Sequence, residues 1–197
     1  MCVILQLEKG QMIDYKRFET ATHNNWHSYG ITMRDNGRLE TIKDCPEGGN
    51  DPEKIYKILD KNKDVERFVH LRYNTVGETS LENCQPFGVL SSKKEDLVFM
   101  HNGTLHEFKP KNSSTTFVNN QQVSSNVDDD DDVRSDSLVF VEEFLTPLLA
   151  SWKPSTSIED PFLKKVISKS WTANNRGIVI SNKKSPLFLG AWKVIKD

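Results

Sequence analysis

At 197 residues, with 36% hydrophobic and 27% charged side chains, the chain is long enough to bury a core as a single domain without staples. A formal net charge of -2 argues against bulk nucleic-acid binding, which shows as a basic excess, so no nucleic acid is expected as a partner. No apolar run approaches the roughly 18 residues that span a bilayer, and MCVILQLEKG turns polar too soon for a signal peptide, so no membrane is expected either.

Val3 to Leu7 is short and apolar, as a buried strand is. Tyr29 to Met33 predicts a second strand. The turn Asp35-Asn36-Gly37 follows, with Arg38 to Ile42 as a hairpin partner. Asp51-Pro52-Glu53 reads as a helix start, and Ile55, Tyr56, Ile58 and Leu59 follow at helical spacing. Arg67 to Tyr73 is strand-like, and Asp96 to Met100 is a strand running into the turn tripeptide His101-Asn102-Gly103. From about 109 to 134 Ser, Thr, Asn and Gln dominate, and Asp128 to Asp132 are five consecutive aspartates. This reads as a low-complexity acidic insertion, solvated, since consecutive carboxylates do not converge on one ion. Ser135 is a helix N-cap ahead of an apolar-faced helix from Leu138 to Leu149. Gly177 to Ser181 and Leu187 to Val194 are the last strand candidates. Two groups of strands with helices between them suit an α+β protein.

The three cysteines, Cys2, Cys45 and Cys84, form no CxxC pair and no zinc spacing, which points to a reducing, cytoplasmic compartment. Cys2 stands directly behind the initiator methionine. Removal of Met1 would leave one residue carrying both a thiol and an α-amine. A thiol of pKa about 8.5 needs a base. An α-amine of pKa about 7.7 to 8.0 is partly neutral at working pH and can take the proton.

Four further stretches carry chemistry: His70-Leu71-Arg72-Tyr73-Asn74-Thr75-Val76-Gly77, Asn83-Cys84-Gln85-Pro86-Phe87, His101-Asn102-Gly103-Thr104-Leu105, and Ser135-Asp136-Ser137. Each alone is weak. Their order behind an N-terminal cysteine resembles the class II glutamine amidotransferases, which are N-terminal-nucleophile hydrolases. That family carries the cysteine, an HxRxxTxG segment, a PF-containing segment, a strand ending in HNG, and an SD pair opening a helix. The resemblance covers roughly residues 2 to 145.

The resemblance implies an α+β fold, an Ntn-hydrolase four-layer αββα sandwich with two antiparallel sheets, with 1–197 as one domain. It implies Cys2 as nucleophile, and Asn102 and Gly103 as oxyanion donors through the side-chain amide and the backbone N–H. Arg72 would take the α-carboxylate of glutamine, with Thr75 and the backbone at Val76 adding hydrogen bonds, and Asp136 would take the α-ammonium. No cofactor or metal is expected. His23 and His27, spaced i and i+4, lack a third ligand, and His27 fits better as a neighbour of the site. His70 alternates to the same strand face as Arg72 and reads as a packed support. Cys45 and Cys84 read as ordinary small residues.

Three functions follow. The first is a glutaminase that releases ammonia for a separate acceptor synthase or transferase, since 197 residues leave no room for the acceptor domain. The second is a hydrolase of another γ-glutamyl amide. The third is a binding module that has kept only the fold.

Overall fold

The computed structural model describes residues 2–89, 95–110, 116–118, 121–123, 132–151, 158–169, 171 and 174–193, with the backbone alone for 116–118 and 121–123. Within them the strands are β1 Val3–Leu7, β2 Ser28–Asp35, β3 Arg38–Asp44, β4 Glu66–Arg72, β5 Phe87–Val89, β6 Leu97–Asn102, β7 Thr116–Val118, β8 Gln121–Val123, β9 Arg176–Ser181 and β10 Leu187–Leu189. The helices are α1 Tyr15–Asn24, α2 Pro52–Lys61, α3 Asp136–Val139, α4 Thr146–Ser151 and α5 Pro161–Lys169, and a π-helical turn Phe140–Leu145 joins α3 to α4.

Two four-stranded antiparallel sheets carry the fold. The first has the order β1-β4-β2-β3 and the second β10-β9-β6-β5. Three apolar clusters define four layers. Phe18, Ile31, Ile55, Leu59, Val69 and Leu71 pack the first sheet against α1 and α2. Phe99, Phe140, Leu163, Ile167 and Val179 pack the second sheet against the later helices. Phe68, Met100, Ile178 and Ile180, flanked by Ile4 and Val98, lie between the sheets. This is the αββα sandwich.

The local reasons are legible. Asp51 Oδ1 accepts from the N–H groups of Glu53 and Lys54 at 2.9 and 3.1 Å, and Pro52 opens α2 without a donor to waste. Asn36 and Gly37, both at positive φ, turn β2 into β3. Gly30 in β2 lets the Gln85–Pro86 backbone approach so closely that a β-carbon would collide with the Gln85 carbonyl.

Three elements depart from the sequence reading. Helix α1 went unpredicted, because only Phe18 and Thr22 of its ten residues are buried and its face is otherwise polar. The helix expected over Leu138–Leu149 begins at Asp136, and its register shifts through the π turn just before Pro147, which has no N–H to donate. The strand expected to Val194 ends at Leu189, where Gly190 at φ 81° turns the chain away. In the 109–134 stretch, β7 and β8 form a short hairpin. Asp132 is described and pairs with Arg134, whereas Asp128 to Asp131 lie outside the described residues.

One polar bond crosses between the sheets at the end where the sequence motifs gather. His70 of β4 is fully buried, and its Nε2 lies 3.1 Å from the His101 carbonyl of β6. A carbonyl only accepts, so Nε2 carries the proton and the ring stays neutral. Burial pushes its pKa down to about 3. Unfolded histidine titrates near 6.5, so between these values the unfolded chain binds the extra proton. Stability is therefore full above about pH 6.5 and is lost as pH falls toward 3. The thermal midpoint should drop steeply between pH 7 and 5. His70→Gln keeps a donor for the carbonyl without titrating, so a flatter acid limb in thermal melts is expected.

Candidate active site

Strand parity sets the site. Along β4, Phe68 faces the inter-sheet layer, so His70 and Arg72 face it too. Along β6, Val98 and Met100 face it, and so does Asn102. Ile4 of β1 faces it, and Cys2, two residues earlier, shares that side. The apolar inter-sheet core thus runs out at one end into Cys2, Arg72 and Asn102.

Cys2 directly precedes β1, whose Val3 pairs with Leu71, so the cysteine arrives beside Arg72 and Tyr73. Its half-buried thiol donates to the Tyr73 carbonyl at 3.4 Å. Burial pushes the thiol pKa up. The Arg72 charge acts against that, and Asp136 reinforces it. Residues 70 and 134 positions away in the chain therefore act on one sulfur. Cys84 is buried and donates to the Tyr29 carbonyl at 3.0 Å, and Cys45 lies 3.6 Å from the His27 carbonyl. Burial raises both thiols.

Arg72 is 3% exposed, and its guanidinium is wrapped by the loop that follows it. Nη1 donates to the Glu78 carbonyl at 3.0 Å, and Nη2 donates to Asn74 Oδ1 at 2.9 Å and to the Val76 carbonyl at 3.1 Å. Thr75 is exposed and Val76 half-buried on the same loop. The Asn74 N–H donates to His27 Nδ1 at 3.0 Å, so His27 does lie at the site. Burial and the Arg72 charge lower the His27 pKa, which keeps that nitrogen an acceptor.

The loop leans on the segment before α3. Glu78 N–H donates to the Val133 carbonyl at 3.0 Å, and a β-carbon on Gly77 would lie 2.7 Å from the Arg134 carbonyl oxygen. Asn83 clamps the two together. Its Nδ2 donates to the Glu78 and Val133 carbonyls, and its Oδ1 accepts from the Ser135 N–H at 2.6 Å.

Asp136 follows the Ser135 N-cap and is 5% exposed. Its Oδ2 accepts from the Leu105 N–H at 2.6 Å and its Oδ1 from the Ser137 N–H at 2.8 Å. The HNG turn is thereby tied to the start of α3. Gly103 sits at φ 140°, and a β-carbon there would collide with Asn175 Oδ1. Asn102 Oδ1 is buried without a hydrogen-bond partner among the described residues.

The structure therefore gathers Cys2, Arg72, Thr75, Val76, Asn102, Gly103 and Asp136 around one end of the sandwich. Sequence reasoning quoted Asn74, Asn83, Gln85 and Ser137 within the motif pieces but gave them no role, and it gave none to Asn175, which lies outside those pieces; Asn83, Gln85, Ser137 and Asn175 are all buried. An open groove of about 620 Å³ lined by Lys43, Phe87, Val89, Leu138 and Val141 lies along the β5 edge and shares none of the site residues. No helix among the described residues is long and apolar enough to cross a membrane.

Two stacked four-stranded antiparallel sheets between helices are the αββα sandwich of the N-terminal-nucleophile amidohydrolase class. Two solved structures share this fold: "the allosteric regulatory enzyme of purine biosynthesis", at 19% identity and TM-score 0.55, and glutamine phosphoribosylpyrophosphate amidotransferase from B. subtilis complexed with ADP and GMP, at 18% and 0.53. Each covers 92% of this chain, and the chain spans 36% and 35% of their lengths. No curated protein matches the sequence. The model of the class-II glutamine amidotransferases matches residues 13–122, more than half of the chain, and the chain belongs to that family. Domains of this family take ammonia from glutamine and pass it to a synthase domain or partner.

Gly103→Ala tests the contact with Asn175. Overpacking of this kind costs about 1 to 3 kcal/mol, and each kcal/mol moves the midpoint of a chain of this size by about 2 to 4 °C. A thermal midpoint lower by several degrees is expected in differential scanning calorimetry, whereas Gly88→Ala, with open space at its β-carbon, should leave it within a degree or so.

Proposed function

We propose that the chain, as one catalytic domain, hydrolyses the side-chain amide of glutamine through Cys2, and that the ammonia goes to a separate acceptor protein. The observation that carries this is electrostatic and geometric. The charges of the Arg72 guanidinium and the Asp136 carboxylate both act on the Cys2 thiol, and these are the two groups that glutamine's α-carboxylate and α-ammonium require.

On this reading the Cys2 sulfur attacks the amide carbon. The thiol proton passes to the neutral α-amine of Cys2, exposed by removal of Met1. The charge that forms on the amide oxygen is met by the Asn102 side-chain amide and the Gly103 N–H. One such donor is worth about 10² to 10³ in rate. The amine then returns its proton to the leaving nitrogen, the C–N bond breaks, and ammonia departs. A γ-glutamyl thioester remains. Water adds to its carbonyl, the C–S bond breaks, and glutamate leaves with the thiol restored. Burial keeps the resting thiol protonated, so the α-amine is needed as a base and not as an ornament.

Arg72 reaches the substrate carboxylate by giving up the neutral oxygens of Asn74, Val76 and Glu78 for a charged one, the stronger acceptor. Thr75 and Val76 then line the carboxylate from the loop. The three free thiols suit a reducing, cytoplasmic setting.

The decisive measurement is intact mass with labelling by a diazo-ketone analogue of glutamine. A mass without Met1 and a single adduct on Cys2 are expected; retained Met1 or an unlabelled Cys2 would falsify the mechanism. Cys2→Ala should abolish ammonia release while leaving the circular dichroism spectrum unchanged. Arg72→Lys, which loses the planar fork, should raise KM for glutamine by about tenfold or more with a smaller change in kcat. A free-glutamine rate no better than that of Cys2→Ala, with brisk turnover of a larger γ-glutamyl amide, would move the substrate assignment to the latter.

A further inference from the structure

Asn175 lies outside the stretch matched by the family model and outside every motif piece. It stands opposite Gly103, one step past the last pairs of the β6–β9 ladder, His101 with Gly177 and Asn102 with Arg176. Its Oδ1 accepts from His101 Nε2 at 3.0 Å and fills the space where a Gly103 β-carbon would stand. Asn175 is itself 3% exposed, and its carbonyl accepts from Trp171 Nε1 at 2.9 Å.

His101 is held from every side. Its N–H donates to Gln85 Oε1 at 2.5 Å, and its carbonyl takes the His70 bond. Its Nδ1 is 2.8 Å from Ser137 Oγ. Trp171 meets the ring edge-on at 5.4 Å, and Phe99 lies parallel to it at 6.4 Å. Burial lowers its pKa, so the ring is neutral and carries one proton. An amide oxygen at Nε2 puts that proton on Nε2 and leaves Nδ1 to accept from the Ser137 hydroxyl.

Gly103 has no side chain to set its own rotation. A glycine at φ 140° is free to swing unless something fills the vacant side. We propose that Asn175 is the positioning residue for the oxyanion donors. It wedges Gly103 directly and fixes His101 through Nε2, and so sets the direction of the Gly103 N–H and of the Asn102 amide beside it. This role rests on the reading of Asn102 and Gly103 given above. It assigns to the C-terminal part of the chain a share in the chemistry. The neutrality of asparagine matters here, because a carboxylate at the same place would oppose the charge that the turn must stabilise.

Asn175→Leu removes the acceptor at similar volume, and Asn175→Ala serves as a second variant less prone to disturb folding. In both, kcat for glutamine hydrolysis should fall about 10- to 100-fold, the cost of a small misplacement of reacting groups. KM should stay within about twofold, since the groups that would hold the α-carboxylate and α-ammonium are untouched. The γ-aldehyde analogue of glutamate adds the thiol and places an oxyanion at the same point. Its inhibition should weaken by the same factor as kcat, while glutamate binds as before. Wild-type kcat in both variants overturns the role, as does a parallel loss of kcat, KM and glutamate affinity, which would mark a merely structural residue. Hydrolysis that survives Cys2→Ala overturns the mechanism itself and this role with it. Cys2-dependent hydrolysis with unchanged kcat in the Asn175 variants overturns this role alone.

Discussion

The bond from His70 to the His101 carbonyl is the constraint on which the site depends. Sheets stacked through apolar side chains can slide, because dispersion and hydrophobic contact have little direction. Phe68, Met100, Ile178 and Ile180 hold the two sheets face to face but say little about their offset. The directional bond between His70 and His101, fully buried and 3.1 Å long, does. It fixes the end of β4, which carries Arg72, against the end of β6, which carries Asn102 and Gly103. At the opposite end Arg34 plays the matching part, reaching from β2 to the Ser181 and Lys184 carbonyls while paired with Glu66. Polar pins at both ends of the apolar layer give the sandwich one register, and the His70 pin lies at the end that carries Cys2.

Much of this was legible in the sequence, and for physical reasons. Strand parity is carried by residue spacing alone, so Ile4 with Cys2, Phe68 with Arg72, and Met100 with Asn102 already shared a face before any fold was known. The Asp51-Pro52 and Ser135 caps act within four residues and were equally plain. What escaped was of two kinds. Helix α1 hides because burial of two residues leaves almost no apolar period to read. The clamps hide because Asn83, Ser137 and Asn175 act across 50, 36 and 74 residues of chain, on Val133, His101 and His101 respectively. A lone asparagine gives no sign of which distant atom it will meet. The motif pieces were visible in their order; the ties that close them into one pocket were not.

Those ties also decide how glutamine would enter. Arg72 and Asp136 are not waiting in empty space. Each is already hydrogen-bonded, Arg72 by three oxygens of residues 74 to 78 in its own loop and Asp136 by the N–H groups of Leu105 and Ser137. A buried ion without such partners would cost several kcal/mol, so the loops are what allow both charges to exist at the site at all. The two arrangements differ in kind. Asp136 is held by rigid backbone at a helix start and can accept from a further donor on its remaining lone pairs. Arg72 carries five N–H donors, and the bonds to its own loop use both hydrogens of Nη2 and one of Nη1. The 74–78 loop that holds Arg72 is fastened to Val133 through Glu78 and Asn83.

The fastening connects the pocket to the acidic stretch. Val133 lies between Asp132 and Arg134, and Arg134 is held by Asp132, Glu142 and Glu143 at 2.5 to 2.9 Å. These pairs are partly exposed, and singly each would be worth little. Together they hold one arginine against carboxylates from both the segment before α3 and the π-helical turn after it. The segment that meets the 74–78 loop is thus pinned on its far side by charge and on its near side by Asn83. Residues 132 to 135 are therefore tied both to the loop that wraps Arg72, through Asn83 and Glu78, and to the helix that carries Asp136.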